Sequence, residues 1–256
     1  MGPMKISVVT AVFNRVATIG DAMASVQAQS HGTIEHIIQD GGSTDGTLDV
    51  VRSAATGDTQ IVSERDGGIY DAINRGIARA TGDVIGLMHS DDVFADDHVL
   101  EKVARTFATQ DVDGVYGDLQ YVAASDPTRV VRHWRSGAYR PALLKRGWMP
   151  PHPTLYLRRE VFDQHGLYDT SLRIAADYDA MLRYLGKGQI RLGYIPEVLV
   201  KMRLGGESNR SLGRIILKSR EDLRALRNNG VGGIATLAAK NLSKLGQFIV
   251  KDDTST

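Results

Sequence analysis

Cysteine is absent from all 256 residues, which excludes disulfides and thiolate metal sites and permits a reducing compartment. No uninterrupted apolar run approaches the ~20 residues that span a bilayer, and the first residues show no apolar h-region behind a basic start. A cytoplasmic location is therefore expected. Neither sign of charge dominates: the formal net charge is +1 and no block of like charges occurs, so the composition points neither to nucleic acid nor to an acidic partner. Two nucleotide motifs are missing as well. After the first apolar run stands Thr10-Ala11-Val12-Phe13-Asn14-Arg15, not the Gly-x-Gly-x-x-Gly of a dinucleotide-binding oxidoreductase, and there is no P-loop Gly-Lys-Ser/Thr. What is present is ordinary for a folded chain, 42% hydrophobic and 24% charged, in a length that buries a full core.

Short apolar runs alternate with helix-periodic stretches in the first half, the pattern of βαβ units and a mostly parallel sheet. Strands are expected near Ile6–Val12, His36–Gln39, Gln60–Ser63, Val84–Met88 and Gly114–Gly117, and helices over Ala17–Gln29, Thr47–Ala55, Ile69–Ala80 and Asp97–Thr109. Leu119–Ala123 and Arg129–His133 flank Ser125-Asp126-Pro127, which predicts a hairpin and hence a small antiparallel addition. Pro-rich 148–153 reads as an extended loop. A strand over Thr154–Leu157 and helices over Arg159–His165 and Ala176–Leu185 follow. With no internal repeat and no low-complexity linker, residues 1–230 are expected to form one domain, with a first half of about 4–118 and a second of about 119–230. Gly230, Gly232 and Gly233 then precede a C-terminal amphipathic helix and tail over 231–256. There Ile234, Leu237, Ala238, Leu242, Leu245, Phe248 and Ile249 share one arc, and Lys240, Lys244 and Lys251 another. Such a helix, over 234–250, either lies on an anionic membrane surface or docks on its own domain.

Acids mark the ends of the expected strands, where open α/β sheets bind ligands. Asp91-Asp92 follows the fourth strand after only His89 and Ser90. Adjacent carboxylates repel unless neutralised, and hard oxygen ligands favour Mg²⁺ or Mn²⁺; a solvated turn is the alternative. Asp40 opens Gly41-Gly42-Ser43-Thr44-Asp45-Gly46-Thr47, a turn whose glycines allow close backbone approach. A strand-end carboxylate there accepts hydrogen bonds from a base or ribose, or simply from its own turn. Arg65, before Asp66-Gly67-Gly68, offers a phosphate contact, and the paired glycines free a helix N-terminus to approach an anion; a simple Gly-rich turn is the alternative. In Ala176-Asp177-Tyr178-Asp179, Asp177 borders the stripe of Tyr178, Met181, Leu182 and Leu185, while Asp179 is set opposite and pairs with Arg183 at i,i+4. Asp177 either caps its helix or serves a site.

Together these pieces resemble family 2 of the glycosyltransferases, inverting enzymes of GT-A fold. The likeness runs from about Lys5 to Ser208. It rests on Phe13-Asn14-Arg15, on Asp40 to Thr47, on Asp66 with Asn74 and Gly76, on Ser90-Asp91-Asp92 and on Ala176 to Asp179 with Leu182-Arg183. The resemblance implies a nucleotide-diphosphate-sugar donor, most often UDP-linked, bound by Thr10, Ala11, Phe13, Asn14, Asp40, Arg65, Asp66, Asn74 and Asp91. Asp40 would meet the base and Asp91 the ribose or sugar. By the same resemblance Asp92 holds Mg²⁺ or Mn²⁺ and Asp177 is the general base toward the acceptor hydroxyl. Arg203 and Ser208 belong to a closing loop, and His152 to the acceptor side.

His89-Ser90-Asp91-Asp92 lacks the spaced Asp-x-Asp of other GT-A families, and Ala176 stands where many relatives have Glu. The Gln-x-x-Arg-Trp motif and spans of processive synthases are absent, so one sugar per encounter is expected, onto a saccharide or lipid-linked acceptor for surface polysaccharide, at the inner face of the plasma membrane if the last helix meets lipid. A catalytically silent nucleotide-sugar or cation binder of the same fold is the rival reading.

Overall fold

The computed structural model describes residues 3–204 and 212–246. A nine-stranded mixed sheet organises them. Its parallel half is β1 (Ile6–Val12), β2 (Ile34–Asp40), β3 (Thr59–Ser63) and β4 (Val84–Leu87), joined by α1 (Ile19–Gln27), α2 (Thr47–Ala54) and α3 (Ile69–Arg79). After the two-residue β5 (Val93–Phe94) and α4 (Val99–Thr109) come β6 (Gly114–Ala123) and β7 (Asp126–Trp134). The second half adds β8 (Tyr156–Arg158), α5 (Arg159–His165), α6 (Ala176–Leu182), β9 (Leu192–Arg203), α7 (Leu212–Asn228) and α8 (Ile234–Gly246). Across the sheet the strands run β3-β2-β1-β4-β8-β6-β9-β5, with β7 antiparallel on β6.

The first half forms as its period predicts because its strands are covered on both faces. Ile6 and Val8 pack toward α1 and α4, while Val9, on the opposite face of the strand, packs toward α3. All three are at most 1% exposed, each worth up to about 1.5–3 kcal/mol of burial. Gly76 lets α3 close on β1, since a Cβ there would lie 2.3 Å from Val9 Cγ1.

Three features depart from the expectations. The runs at Gly114–Gly117 and Leu119–Ala123 are one strand, β6, and its hairpin turns at 124–125, so Asp126 and Pro127 already belong to β7. The long strand β9 was hidden by Pro196, which cannot donate to a ladder. It is accommodated where the β6–β9 register jumps from Gly117↔Ile195 to Asp118↔Val198, leaving Pro196 and Glu197 in a bulge. The helix from Ala176 continues past Leu182 as a π turn over Arg183–Lys187.

The C-terminal helix corrects the expected arcs. Lys240, placed on the solvent arc, is 2% exposed, whereas Ile234 and Leu242 of the apolar arc are 69% and 65% exposed. The reason is a buried partner that no local pattern reveals: Lys240 Nζ lies 2.9 Å from Asp222 Oδ1 of α7 and over the ring of Tyr178. Side chains of Lys244 and Leu245, and residues Ser208, Phe248, Ile249 and Lys251, lie outside the described portion.

Candidate active site

Because β1 to β4 are parallel, the segments that follow them meet at one edge of the sheet. The loop after β1 locks onto the loop after β2. Ser43 Oγ accepts from Asn14 N at 2.8 Å, and Asn14 Oδ1 accepts from Thr44 N at 2.9 Å. Asn14 holds φ +51°, a conformation that Asn tolerates. At this junction two side chains close on the backbone of Gly41. A Cβ there would lie 2.6 Å from Asp66 Oδ2 and 3.4 Å from Phe13 Cδ2, so the bare glycine backbone separates an acid from an aromatic ring that is 56% exposed. Arg65 borders the neighbouring Gly42.

Asp40 is fully buried and already satisfied: its carboxylate accepts from Gly42 N, from Ser43 N and Oγ, and from Ser63 Oγ at 2.6 Å. It builds the turn from inside. Thr10 is turned into the sheet, where its Oγ1 pairs with His36 Nε2 at 3.0 Å, and Ala11 packs against the main core. Asn74 binds both backbone polar groups of Tyr168, at 2.8 and 3.0 Å, and so ties α3 to the second half of the chain.

Past β4, Thr18 Oγ1 donates to Ser90 O at 2.9 Å and fixes the turn that carries the two acids. Asp92 is 1% exposed. Its Oδ1 accepts from Arg203 N at 3.1 Å, while its Oδ2 has no hydrogen-bond partner among the described residues. Burial, reinforced by the Asp91 charge, pushes its carboxyl well above the usual range against the opposing pull of Arg203. Asp91 is the more accessible of the two. The Arg203 guanidinium reaches Asp21 Oδ2 at 2.5 Å and the Asp91 carbonyl at 3.4 Å, so it braces this turn.

A continuous belt of side chains joins that turn to Asp177. His89 and His152 have ring centroids 5.8 Å apart, and His152 Nε2 is 2.9 Å from Tyr168 Oη. The Tyr168 ring stacks on Tyr70 at 5.8 Å, and Tyr70 Oη lies 3.3 Å from Asp177 Oδ1. His89 feels the negative charge of Asp91 and of Asp177 together; burial nevertheless lowers its pKa, and takes that of His152 down to about 4. Both imidazoles are therefore neutral near pH 7. Burial and the Asp177 charge raise Tyr70 well above the ordinary phenol value, which keeps it a donor.

Asp177 is half-buried, and both of its bonds, from Tyr178 N at 2.7 Å and Tyr70, fall on Oδ1. Among the described residues none hydrogen-bonds to Oδ2. Asp179, expected on the opposite, solvated side, is instead 7% exposed and accepts from Asn229 Nδ2 at 2.8 Å. Arg183 stands 3.6 Å from it and spends its donors on carbonyls of residues 165–167 at the end of α5. The reason is that α6 is enclosed on nearly every side, so both acids needed partners and only Asp177 kept an open oxygen.

Tyr70, Tyr168 and His89 complete this belt without having been singled out as site residues. Tyr70 was visible only as the second residue of a helix after a glycine pair, since its partners lie 98 or more residues away.

The family model for Glycosyl transferase family 2 matches residues 7–170, ending before Asp177. A PGL/p-HBAD biosynthesis glycosyltransferase of Mycobacterium bovis (strain BCG / Pasteur 1173P2) is 30% identical over 224 residues, 83% of this chain and 82% of that one. An uncharacterised glycosyltransferase of Nostoc sp. is 36% identical over 128 residues; the match spans 49% of this chain and only 39% of the relative. Among solved structures, S. aureus TarS 1–349 in complex with UDP-GlcNAc superimposes with a TM-score of 0.68 at 17% identity, over 89% of this chain and 66% of that one. A mannosyltransferase from Pyrobaculum calidifontis in complex with GDP-Man and Mn²⁺ gives 0.67 at 18% identity, over 95% and 71%. These similarities carry the fold, and the family match carries the kinship: the chain belongs to glycosyl transferase family 2 and has its GT-A architecture.

Proposed function

We propose that the chain moves one sugar from a nucleotide-diphosphate sugar, UDP-linked by preference, to a hydroxyl of a saccharide or lipid-linked saccharide, with inversion. The observation that carries this reading is the belt from Asp91 through His89, His152, Tyr168 and Tyr70 to Asp177. In this reading the half-buried Asp177 carboxylate lines one wall of the reaction cleft and the pair of acids after β4 lines the other. Single displacement at an anomeric carbon needs those two things, a base on the attacking side and charge neutralisation on the leaving side.

In this proposal the nucleotide base enters over Gly41 between Phe13 and Asp66, with Asp40 holding the loop that carries Gly41, and with Asn14, Thr10 and Ala11 shaping the loop's first wall. Arg65 lies beside the diphosphate path, and Asn74 keeps the acceptor half registered on α3. The unpartnered Asp92 Oδ2 beside Asp91 suits a hard divalent cation, Mg²⁺ or Mn²⁺. Among the described residues no group of three or more His, Cys, Asp or Glu stands ready to cage a metal, so these acids would share the ion with diphosphate oxygens, as Mg²⁺ sites commonly do. Bound there, the cation would offset the charge of the departing diphosphate. Asp177 Oδ2 takes the proton of the acceptor hydroxyl, Tyr70 steadies the other oxygen, and His152 with Tyr168 lines the acceptor wall. No helix among the described residues is long and apolar enough to cross a membrane; lipid-side contact through 234–250, at the inner face of the plasma membrane, belongs to the same proposal, with the exposed Ile234 and Leu242 as its support.

The test is a screen of nucleotide sugars with Mn²⁺ for thermal stabilisation and then for turnover, since a ligand bound only by the folded form raises its stability. Asp177→Asn is expected to abolish transfer, a loss of about 10²–10⁴-fold, with UDP affinity unchanged. Full transfer by this variant overturns the assignment of the base.

A further inference from the structure

Nothing in α6 itself explains why Asp177 keeps its place. The residue sits at the second position of a seven-residue helix that begins with no side-chain cap. The chain just before it, Arg173-Ile174-Ala175, presents three consecutive backbone N–H groups, and all three are taken by one acid of another helix. Glu221 on α7 accepts from Arg173 N at 2.9 Å through Oε1, and from Ile174 N at 2.8 Å and Ala175 N at 3.0 Å through Oε2. It is 7% exposed. Eight residues further along, Asn229 reaches back to Asp179 on α6.

The same short segment also faces the site. Tyr70 has one hydroxyl proton and two acceptors: the Ile174 carbonyl at 2.8 Å and Asp177 Oδ1 at 3.3 Å. The geometry points to Glu221 as the positioning residue of this enzyme: by gripping the amides of 173–175 it fixes the Ile174 carbonyl, which in turn holds Tyr70 and sets the reach and hydrogen bonding of Asp177. A carboxylate bonded by several backbone N–H groups makes strong, charge-assisted contacts and defines direction as well as distance. Loss of it frees the segment that leads into the base, and small displacements at a reacting centre cost up to about 10²-fold in rate. Glu221 lies 51 residues beyond the last position matched by the family model.

This inference rests on the assignment of Asp177 as base, and the experiment separates the two. Asp177→Asn, Glu221→Ala and Glu221→Gln are compared for turnover with the donor found in the screen, for UDP affinity by calorimetry with Mn²⁺, and for amide exchange over 173–182. The expected result is an inactive Asp177→Asn and a Glu221→Ala with kcat about 10- to 100-fold lower, UDP affinity within twofold of the parent and faster exchange at 173–175. Glu221→Gln, which retains acceptor oxygen, recovers part of the lost kcat. A Glu221→Ala enzyme within threefold of the parent kcat, beside an inactive Asp177→Asn, overturns the positioning role alone. So does a Glu221→Ala enzyme whose UDP affinity collapses in step with kcat, since that marks general damage to the fold. An active Asp177→Asn overturns the base assignment and this role with it.

Discussion

Replacing Lys240 by Met asks how firmly the last helix is tied to the catalytic half. The ammonium is 2.9 Å from Asp222 and both side chains are 2% exposed; the stem packs on Gly147, where a Cβ would fall 2.4 Å from that of Lys240. Removing one partner of a buried pair generally costs about 3–5 kcal/mol because it strands the other charge. Here the stranding is incomplete. Lys218 holds the second oxygen of Asp222 at 2.8 Å and is itself 27% exposed, and Met keeps most of the apolar stem. The expected loss is therefore smaller, about 2–3 kcal/mol, with Lys218→Met costing about 1 kcal/mol or less because that amine stays solvated. Urea denaturation followed by the fluorescence of Trp148, next to Gly147, reads both. The pH dependence has a definite sign. Burial raises the Asp222 carboxyl, but Lys240 and Lys218 outweigh it and leave its pKa below the usual value. The stabilisation is complete above the unfolded-state pKa and is lost as pH falls through the lower folded value, so the gap between parent and Lys240→Met shrinks below about pH 4. A variant within 0.5 kcal/mol of the parent at pH 7 (about a twofold change in the folding constant) refutes the reasoning, because it means the pair does not anchor α8.

Gly41→Ala drives a methyl toward Asp66 Oδ2, 2.6 Å from the ideal Cβ, at about 1–3 kcal/mol of crowding; donor KM rises about tenfold or more in steady-state assays, and an unchanged KM would remove Gly41 from the donor site. Asp92→Asn abolishes the Mn²⁺-dependent part of UDP binding while leaving Tm near that of the parent, since the buried acid has one oxygen without a bond; calorimetry with and without EDTA decides it. His36 and His152 are held neutral by burial, each with its pKa down to about 4, so the unfolded chain binds more protons between about pH 6.5 and 4. Thermal stability should hold above pH 7 and fall through that window, and a flat Tm from pH 7 to 4.5 contradicts the burial.

The family resemblance was legible because its signals are local. Strand period, helix period and glycine turns produced β1 to β4 and α1 to α3 to within two residues at each end, and parallel order then forces Phe13, Asp40, Asp66 and Asp91 to one edge whatever else the chain does. The kind of contact each makes was not legible. Whether Asp40 meets a ligand or its own turn depends on Ser43 and on Ser63, the latter brought by β3; whether Asp177 or Asp179 is the open acid depends on Asn229, 50 residues away.

Thus the sequence by itself determined the class of fold, the strand-end loops and the acids that populate them, since these follow from patterns within about ten residues. Only the tertiary structure decided which polar groups are consumed and which stay open. Asp92 with a bare oxygen, Asp177 steadied by Tyr70, Lys240 sealed against Asp222 and Glu221 gripping three amides all join residues far apart in the chain. Desolvation requires each buried polar atom to find a partner, and sequence spacing does not say which partner long-range packing will deliver.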